Sequence, residues 1–229
     1  MSKRAIKILL TGLFALFFIF GIMEHVLAKE RGEGLHYKLI QCKDGKHSYV
    51  VYLPPNYNES KKWPVLFCFD PSACGDYAAK VFSSASVNQG WIVVGSLDAR
   101  NGPWEPIYKA QTATLEDVTQ RYSIDEQRLY SAGFSGGARM AYTMAYKYPD
   151  KFRGVIACGA GFGEGQVSKN VAVFHCVGKG DDNLIEVRAT RDTLLKEGVK
   201  TKMKAFEGGH EWPPEEVIVE ALDWLARTT

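Results

Sequence analysis

The sequence predicts an α/β protein whose mostly parallel sheet is covered by helices on both faces. Short, continuously apolar runs recur along the chain, and such runs are typical of strands buried on both faces. Helix-like segments separate these runs, and this alternation builds a parallel sheet. A hairpin signal precedes the alternation. We therefore expect eight strands, of which the first pair is antiparallel.

The predicted hairpin surrounds residues 43–46, Lys-Asp-Gly-Lys. The β-rich runs 35–41 and 47–55 lie on either side of it, and Asp-Gly between two such runs is a strong hairpin signal. Pro54 and Pro55 end the second strand, because proline cannot donate a ladder hydrogen bond.

The remaining elements alternate along the chain. Predicted strands cover residues 64–70, 91–99, 128–134, 154–161, 171–178 and 202–208. Predicted helices cover residues 76–90, 111–123, 136–149, 183–198 and a last segment that starts at Pro213-Pro214. The connection from Gly161 to Val171 has an ordinary length, too short for a pair of lid helices. We therefore expect no cap domain.

The first 28 residues have the layout of a secretory signal peptide. Basic residues precede an uncharged, mostly apolar run from Ile8 to Met23, and Ala28 is the small residue before the expected cleavage. The run is shorter than the roughly 18 residues of a membrane span, so we favour a signal peptide over an uncleaved membrane anchor. We expect residues 29–229 to form one domain of a secreted or periplasmic protein.

Charge and cysteine content narrow the functional classes. The net charge of +2 gives no support for a nucleic-acid partner. No Cys-x-x-Cys or His-Glu-x-x-His motif occurs, so we expect no metal.

Five cysteines are present. Cys68, Cys158 and Cys176 lie in apolar runs and are predicted to be buried, whereas a Cys42–Cys74 disulfide and the oligomeric state remain open.

One short stretch, SAGFSGGARM at residues 131–140, carries a candidate nucleophile. Gly133 and Gly137 stand two residues before and two after Ser135, as in the G-x-S-x-G nucleophile elbow. In a sharp strand-to-helix turn, side chains at these two positions would collide. Chance alone would produce such a pentad in about one chain in ten of this length, so its context must decide. Here, however, a predicted buried strand precedes Ser135 and a predicted helix follows, which is the setting the motif requires.

A serine hydroxyl needs a base to take its proton, and the base needs a third group to orient it. In this motif the acid and then the histidine follow the serine along the chain. His210 lies in a loop after the last predicted strand and is the candidate base. The other histidines lie in the signal segment, in the hairpin or inside a buried strand, namely His25, His36, His47 and His175.

The candidate acids are Asp181 and Asp182, which follow the strand over 171–178. We favour Asp181, because its G-x-x-D spacing from Gly178 lets the chain turn and aim one carboxylate along the strand ends. Asp182 is then left at the start of the next helix, where a carboxylate is favourable.

The oxyanion needs backbone donors. The amide of Gly136, directly after the nucleophile, is the first candidate. The second comes from the loop after the strand at 64–70. Pro71 has no N–H group, so we expect Ser72 or Ala73 to donate, and we assign Ser72.

Three motifs, GFSGGAR, GKGDDN and GGHEWPPEE, together resemble the α/β-hydrolase superfamily. They are similar to compact bacterial serine esterases of the carboxylesterase, phospholipase and polyhydroxyalkanoate-depolymerase-like group. FDPSACG and RNGP stand where that group carries its oxyanion and active-site loops. The resemblance covers roughly residues 35–228.

This resemblance implies an α/β-hydrolase fold and a catalytic acid at the G-x-x-D position of Asp181. It also implies cleavage of carboxylic esters, from small molecules or polymers, by a Ser-His-Asp triad without a cofactor. Two alternatives stay open at this point. One is a serine peptidase of the same fold, and the other is a non-catalytic binding module on a hydrolase scaffold.

Overall fold

A computed structural model describes residues 36–86, 89–163 and 165–229. The predicted signal peptide, residues 1–28, lies outside the described residues, as do residues 29–35. The strands are β1 His36–Gln41, β2 Ser48–Leu53, β3 Trp63–Phe69, β4 Ile92–Ser96, β5 Ile124–Phe134, β6 Phe152–Cys158, β7 Ala172–Gly178 and β8 Thr201–Phe206. The helices are α1 Gly75–Ser86, α2 Trp104–Arg121, α3 Gly136–Lys147, α4 Leu184–Lys196 and α5 Glu215–Thr228.

The eight strands form one sheet in the order β1-β2-β4-β3-β5-β6-β7-β8. β2 is antiparallel to both β1 and β4, and the other neighbours are parallel. The prediction of eight strands with an antiparallel first pair is thus confirmed. At the hairpin turn, Gly45 has a φ of 67°, and Asp44 Oδ1 accepts the amides of Lys46 and His47 at 2.9 and 3.0 Å.

Helices cover both faces of the sheet, as predicted. Successive residues of β3 alternate between two cores, because side chains along a strand point to opposite faces. Val65 and Phe67 pack in the core under α2, α3 and α4. Leu66 and Cys68 pack in the core under α1 and α5. All four side chains are buried, so the continuous apolar run follows from burial on both sides.

Two elements begin several residues earlier than the sequence predicts. The helix predicted over residues 111–123 begins at Trp104, because Pro103 and Pro106 are tolerated at a helix start, where amides lack intrahelical partners. Ile107 and Ala110 in its first turns are buried and belong to its apolar face. β5 likewise begins earlier than expected, at Ile124.

The five cysteines are all free thiols. Cys42 is buried and Cys74 is exposed, so the structure does not pair them. Cys68, Cys158 and Cys176 are buried within strands, as expected. Across the described part of the chain, none of the helices is both long and apolar enough to cross a membrane.

Candidate active site

Ser135 stands at a sharp turn between β5 and α3. Its φ of 53° and ψ of −120° are unusual for a residue with a side chain, and the surrounding structure holds this strained conformation. The Ser135 amide donates to the carbonyl of Cys158 at 2.8 Å, which ties the turn to the end of β6. This is the geometry expected of a nucleophile elbow.

The two glycines that flank Ser135 are required by close backbone contacts. A Cβ atom at Gly133 would lie 2.2 Å from the carbonyl oxygen of Gly137. A Cβ atom at Gly137 would lie 2.2 Å from the carbonyl oxygen of Phe69 in β3. Distances this short to backbone atoms leave no room for a side chain, so the steric interpretation of the pentad is confirmed.

The loops after β7 and β8 are joined through their main chains. Lys179 donates its amide to the carbonyl of Phe206 at 2.8 Å, and Gly180 donates to Gly208 at 2.9 Å. The two backbones approach so closely that a Cβ at Gly178 would lie 2.2 Å from the carbonyl oxygen of Gly209. This pairing places the two loops side by side at the carboxyl edge of the sheet.

Three predicted residues meet at this edge. His210 Nε2 lies 2.9 Å from Ser135 Oγ, and His210 Nδ1 lies 2.9 Å from Asp181 Oδ2. The Asp181 side chain is 1% exposed, whereas that of His210 is 41% exposed. A buried carboxylate therefore orients an imidazole that is partly exposed to solvent.

The second oxygen of Asp181 is also engaged. Asp181 Oδ1 accepts the amide of Asn183 at 2.8 Å, and Asn183 Nδ2 donates to the carbonyl of Gly159 at 2.8 Å. Asp182 is exposed and makes no hydrogen bond among the described residues. Asp181 therefore supports the chain just before α4 itself, a task that sequence reasoning had given to Asp182.

Phe134 is a site residue that sequence reasoning missed. Its ring centroid lies 4.7 Å from that of His210 and 5.3 Å from that of Trp212. A Cβ at Gly159 would lie 2.9 Å from the Phe134 ring and 3.2 Å from Asp181 Oδ2. Phe134 thus packs beside the Asp181–His210 hydrogen bond. The motif leaves this position to any residue, and only its aromatic character was a signal.

The predicted oxyanion donors have different surroundings. Gly136 lies at the first position of α3, where an amide has no intrahelical partner. The amide of Ser72 donates to Asp70 Oδ1 at 2.8 Å, and the amide of Ala73 donates to the carbonyl of Asp70 at 3.3 Å. Both amides offered by the sequence as second donor are therefore engaged within their own loop, because the Asp70 side chain closes that turn.

His175 is a core residue, as its position inside a strand predicts. It is fully buried in β7, and its Nδ1 lies 3.2 Å from the hydroxyl of Tyr142. Burial lowers the pKa of His175 to about 3, so the imidazole is neutral at ordinary pH. Among the described residues, no group of three or more His, Cys, Asp or Glu side chains is placed to hold a metal.

Two surface cavities lie away from these residues. One of about 550 Å³ lies between the β1–β2 turn and α2, and includes Lys43 and Lys109. The other, of about 580 Å³, includes Arg153 and Lys200 near the C-terminus. The hydrogen-bonded serine, histidine and aspartate line neither of them. The site is recognised by its hydrogen-bonded side chains rather than by a cavity.

The fold and the strained serine between β5 and α3 define an α/β-hydrolase. The chain belongs to the phospholipase/carboxylesterase family, whose model matches residues 106–225. The protein is thus a hydrolase of an esterase family. Among curated protein sequences, none matches this chain significantly.

Solved structures agree on the fold. A ferulic acid esterase is 18% identical with a TM-score of 0.65, and the match covers 84% of this chain and 97% of that one. An S-formylglutathione hydrolase from Staphylococcus aureus is 14% identical with a TM-score of 0.68, over 84% and 97%. A ferulic acid esterase from Anaeromyces mucronatus is 15% identical with a TM-score of 0.66, over 85% and 90%. At these identities the likeness concerns the fold alone.

Proposed function

We propose that this protein hydrolyses carboxylic esters through an acyl-enzyme, with Ser135 as nucleophile, His210 as general base and Asp181 as the acid that orients it. One observation carries the proposal. A continuous hydrogen-bond chain, with two distances of 2.9 Å, links side chains from the ends of three different strands. Membership of the phospholipase/carboxylesterase family supports the same reaction class.

The chemistry follows from this arrangement. His210 Nε2 takes the Ser135 proton as Oγ attacks the acyl carbon, and Asp181 stabilises the imidazolium that forms. The Gly136 amide donates to the developing oxyanion. His210 then gives its proton to the leaving alcohol, and the C–O bond of the ester breaks. His210 Nε2 then takes a proton from a water molecule that attacks the acyl carbon. The bond to Ser135 Oγ breaks, and His210 returns the proton to that oxygen as the carboxylic acid leaves.

The exposure of His210 bears on the substrate class. Solvent reaches the imidazole directly, which favours water-soluble esters from small molecules or polymers over substrates that must open a lid. We further propose that the protein acts outside the cytoplasm, secreted or periplasmic, after removal of residues 1–28. We propose no cofactor, and no nucleic-acid partner, because the net charge is only +2.

The decisive experiment removes the nucleophile. Ser135→Ala should lower kcat for a p-nitrophenyl ester by about 10⁴- to 10⁶-fold and leave thermal unfolding unchanged. Ser60→Ala is the matched control, because Ser60 is exposed just before β3, at the opposite end of that strand from the predicted oxyanion loop. If purified Ser135→Ala retained a tenth of the wild-type rate, the proposal would be wrong.

The two alternatives are separated by labelling and by substrate. A fluorophosphonate should label the wild type and the Ser60→Ala variant, and fail to label Ser135→Ala. A non-catalytic binding module would not be labelled at all. A serine peptidase would also be labelled, but it would cleave aminoacyl p-nitroanilides faster than the matching esters. We expect the opposite preference.

A further inference from the structure

The glycine directly after the nucleophile has an unexplained neighbour. The elbow motif requires glycine at positions 133 and 137 and leaves position 136 to any residue. A Cβ at Gly136 would lie 1.7 Å from Asn101 Oδ1, 2.7 Å from Cγ and 3.0 Å from Nδ2. The carboxamide of Asn101 therefore fills the space that a side chain at position 136 would take. Gly136, the glycine of the stretch that the motif does not require, therefore makes room for Asn101.

The backbone of Asn101 is held in place from the neighbouring loop. Its amide donates to the carbonyl of Pro71 at 2.8 Å. Next to it, Arg100 and Ser72 form an antiparallel bridge. The loop after β4 is thus fastened to the loop after β3, at the edge of the sheet where Ser135 lies. This fastening presents the Asn101 side chain to the elbow.

The carboxamide of Asn101 has no hydrogen-bond partner among the described residues, and the residue is exposed. Its two N–H groups are therefore available to a ligand. A carboxamide is among the side chains that can form an oxyanion hole, and it can turn about its Cβ–Cγ bond to exchange its oxygen and nitrogen positions. It lies against the Cα of Gly136, whose amide is the first donor.

The two loop amides that the sequence offers as second donor are both engaged. Pro71 has no N–H group, and the amides of Ser72 and Ala73 both donate to Asp70. We propose that the side chain of Asn101 is a catalytic residue that donates the second hydrogen bond to the oxyanion of the tetrahedral intermediate. The inference rests on the proposed acyl-enzyme reaction at Ser135 and adds a residue to it.

The test compares two substitutions of the same residue. Asn101→Ala should lower kcat by about 10²- to 10³-fold with KM changed only a few-fold, because the donor acts on charge that develops in the transition state. Asn101→Asp keeps the shape but cannot donate and places a negative charge near the oxyanion. Its kcat should therefore be no higher than that of Asn101→Ala. A packing role predicts the reverse order, with Asn101→Asp close to wild type, and this result would overturn the proposal.

Asn170→Ala provides the matched control. Asn170 is an exposed asparagine just before β7, at the opposite edge of the sheet, and its loss should leave kcat unchanged. Melting temperatures of all variants should stay within a few degrees, because Asn101 is exposed. A second measurement does not depend on turnover. Phenylboronic acid forms a tetrahedral adduct with a serine oxygen, and its inhibition constant should rise at least about tenfold in Asn101→Ala.

Gly136→Ala tests the same contact from the other side. The new Cβ would meet the end of the Asn101 side chain rather than backbone atoms, so it should displace the carboxamide while the fold survives. We expect a loss of kcat similar to that of Asn101→Ala, and little further loss in the double variant, because both act through one contact. Fully multiplicative losses would contradict the proposal.

These outcomes are distinguishable from failure of the proposed function. If Ser135→Ala stayed active, the acyl-enzyme reaction itself would be wrong. If Ser135→Ala were inactive while Asn101→Ala kept at least half of the wild-type kcat, only the role of Asn101 would be refuted. In that case the second donor would have to come from the loop after β3, with Ser72 released from Asp70.

Discussion

Replacing Asp181 by asparagine should disable the site, because the structure requires two acceptor oxygens at this position and a carboxamide has one. Both carboxylate oxygens accept hydrogen bonds, Oδ2 from His210 Nδ1 at 2.9 Å and Oδ1 from the Asn183 amide at 2.8 Å. A carboxamide has one acceptor oxygen and one NH₂ group. It can satisfy His210 or Asn183, but not both. One of the two contacts must therefore bring donor against donor or change the histidine tautomer.

The magnitude depends on which contact fails. If the NH₂ group faces His210, the imidazole must present its acceptor nitrogen to the new carboxamide and its N–H to Ser135, so it cannot take the serine proton. This case should cost about 10⁴-fold in kcat, or about 5 kcal/mol. If the NH₂ group faces Asn183, an amide is left unpaired beside a side chain that is 1% exposed. This case should lower the free energy of unfolding by about 1–3 kcal/mol.

The assay compares Asp181→Asn with Asp182→Asn. Both variants change one acidic residue to its amide, at adjacent positions, but Asp182 is exposed and has no partner among the described residues. We expect Asp182→Asn to keep kcat within a few-fold of wild type at pH 7 to 8, and Asp181→Asn to lose activity, stability or both. A large loss of kcat in Asp182→Asn alone would refute the reasoning and reverse the assignment.

Two further predictions concern acid stability and export. Burial lowers the pKa of His175 from 6.5 to about 3, so between these values the unfolded chain binds a proton that the folded chain does not. The free energy of unfolding should therefore fall as the pH drops from 6.5 to about 3, by about 5 kcal/mol from this group. Urea unfolding of His175→Gln should show a smaller fall over the same pH range. Equal falls in the two proteins would contradict this role of His175. Mass spectrometry of the protein from its native host should find an N-terminus near Lys29, whereas an intact chain in the membrane fraction would favour an anchor.

The sequence predicted the elements of the fold and the elbow at Ser135 because each depends on local signals. Buried strands are continuous apolar runs, and Ser135 lies in a motif that dictates its neighbours. His210 was found by chain order. α2 was placed too late because Pro103 and Pro106 resemble loop residues until their position at the start of the helix is known.

The residues that sequence reasoning missed act through contacts between distant segments. Asn101 is separated from Gly136 by the whole of α2 and β5, and only the sheet order brings the two loops together. The engagement of the Ser72 amide depends on the side chain of Asp70, two residues away, adopting a turn that propensity alone does not specify. Neither contact leaves a periodic pattern in the sequence.

The main-chain pairing of the loops after β7 and β8 makes the position of Asp181 and His210 largely independent of the side chains exposed on those loops. Main-chain hydrogen bonds from Lys179 and Gly180 hold the loops of Asp181 and His210 side by side, and the close approach at Gly178 restricts a side chain there. Lys179 and Glu207 are exposed on the same loops. Under the proposed reaction, substitution of such exposed side chains should change the surface beside the site while the Asp181–His210 hydrogen bond is kept.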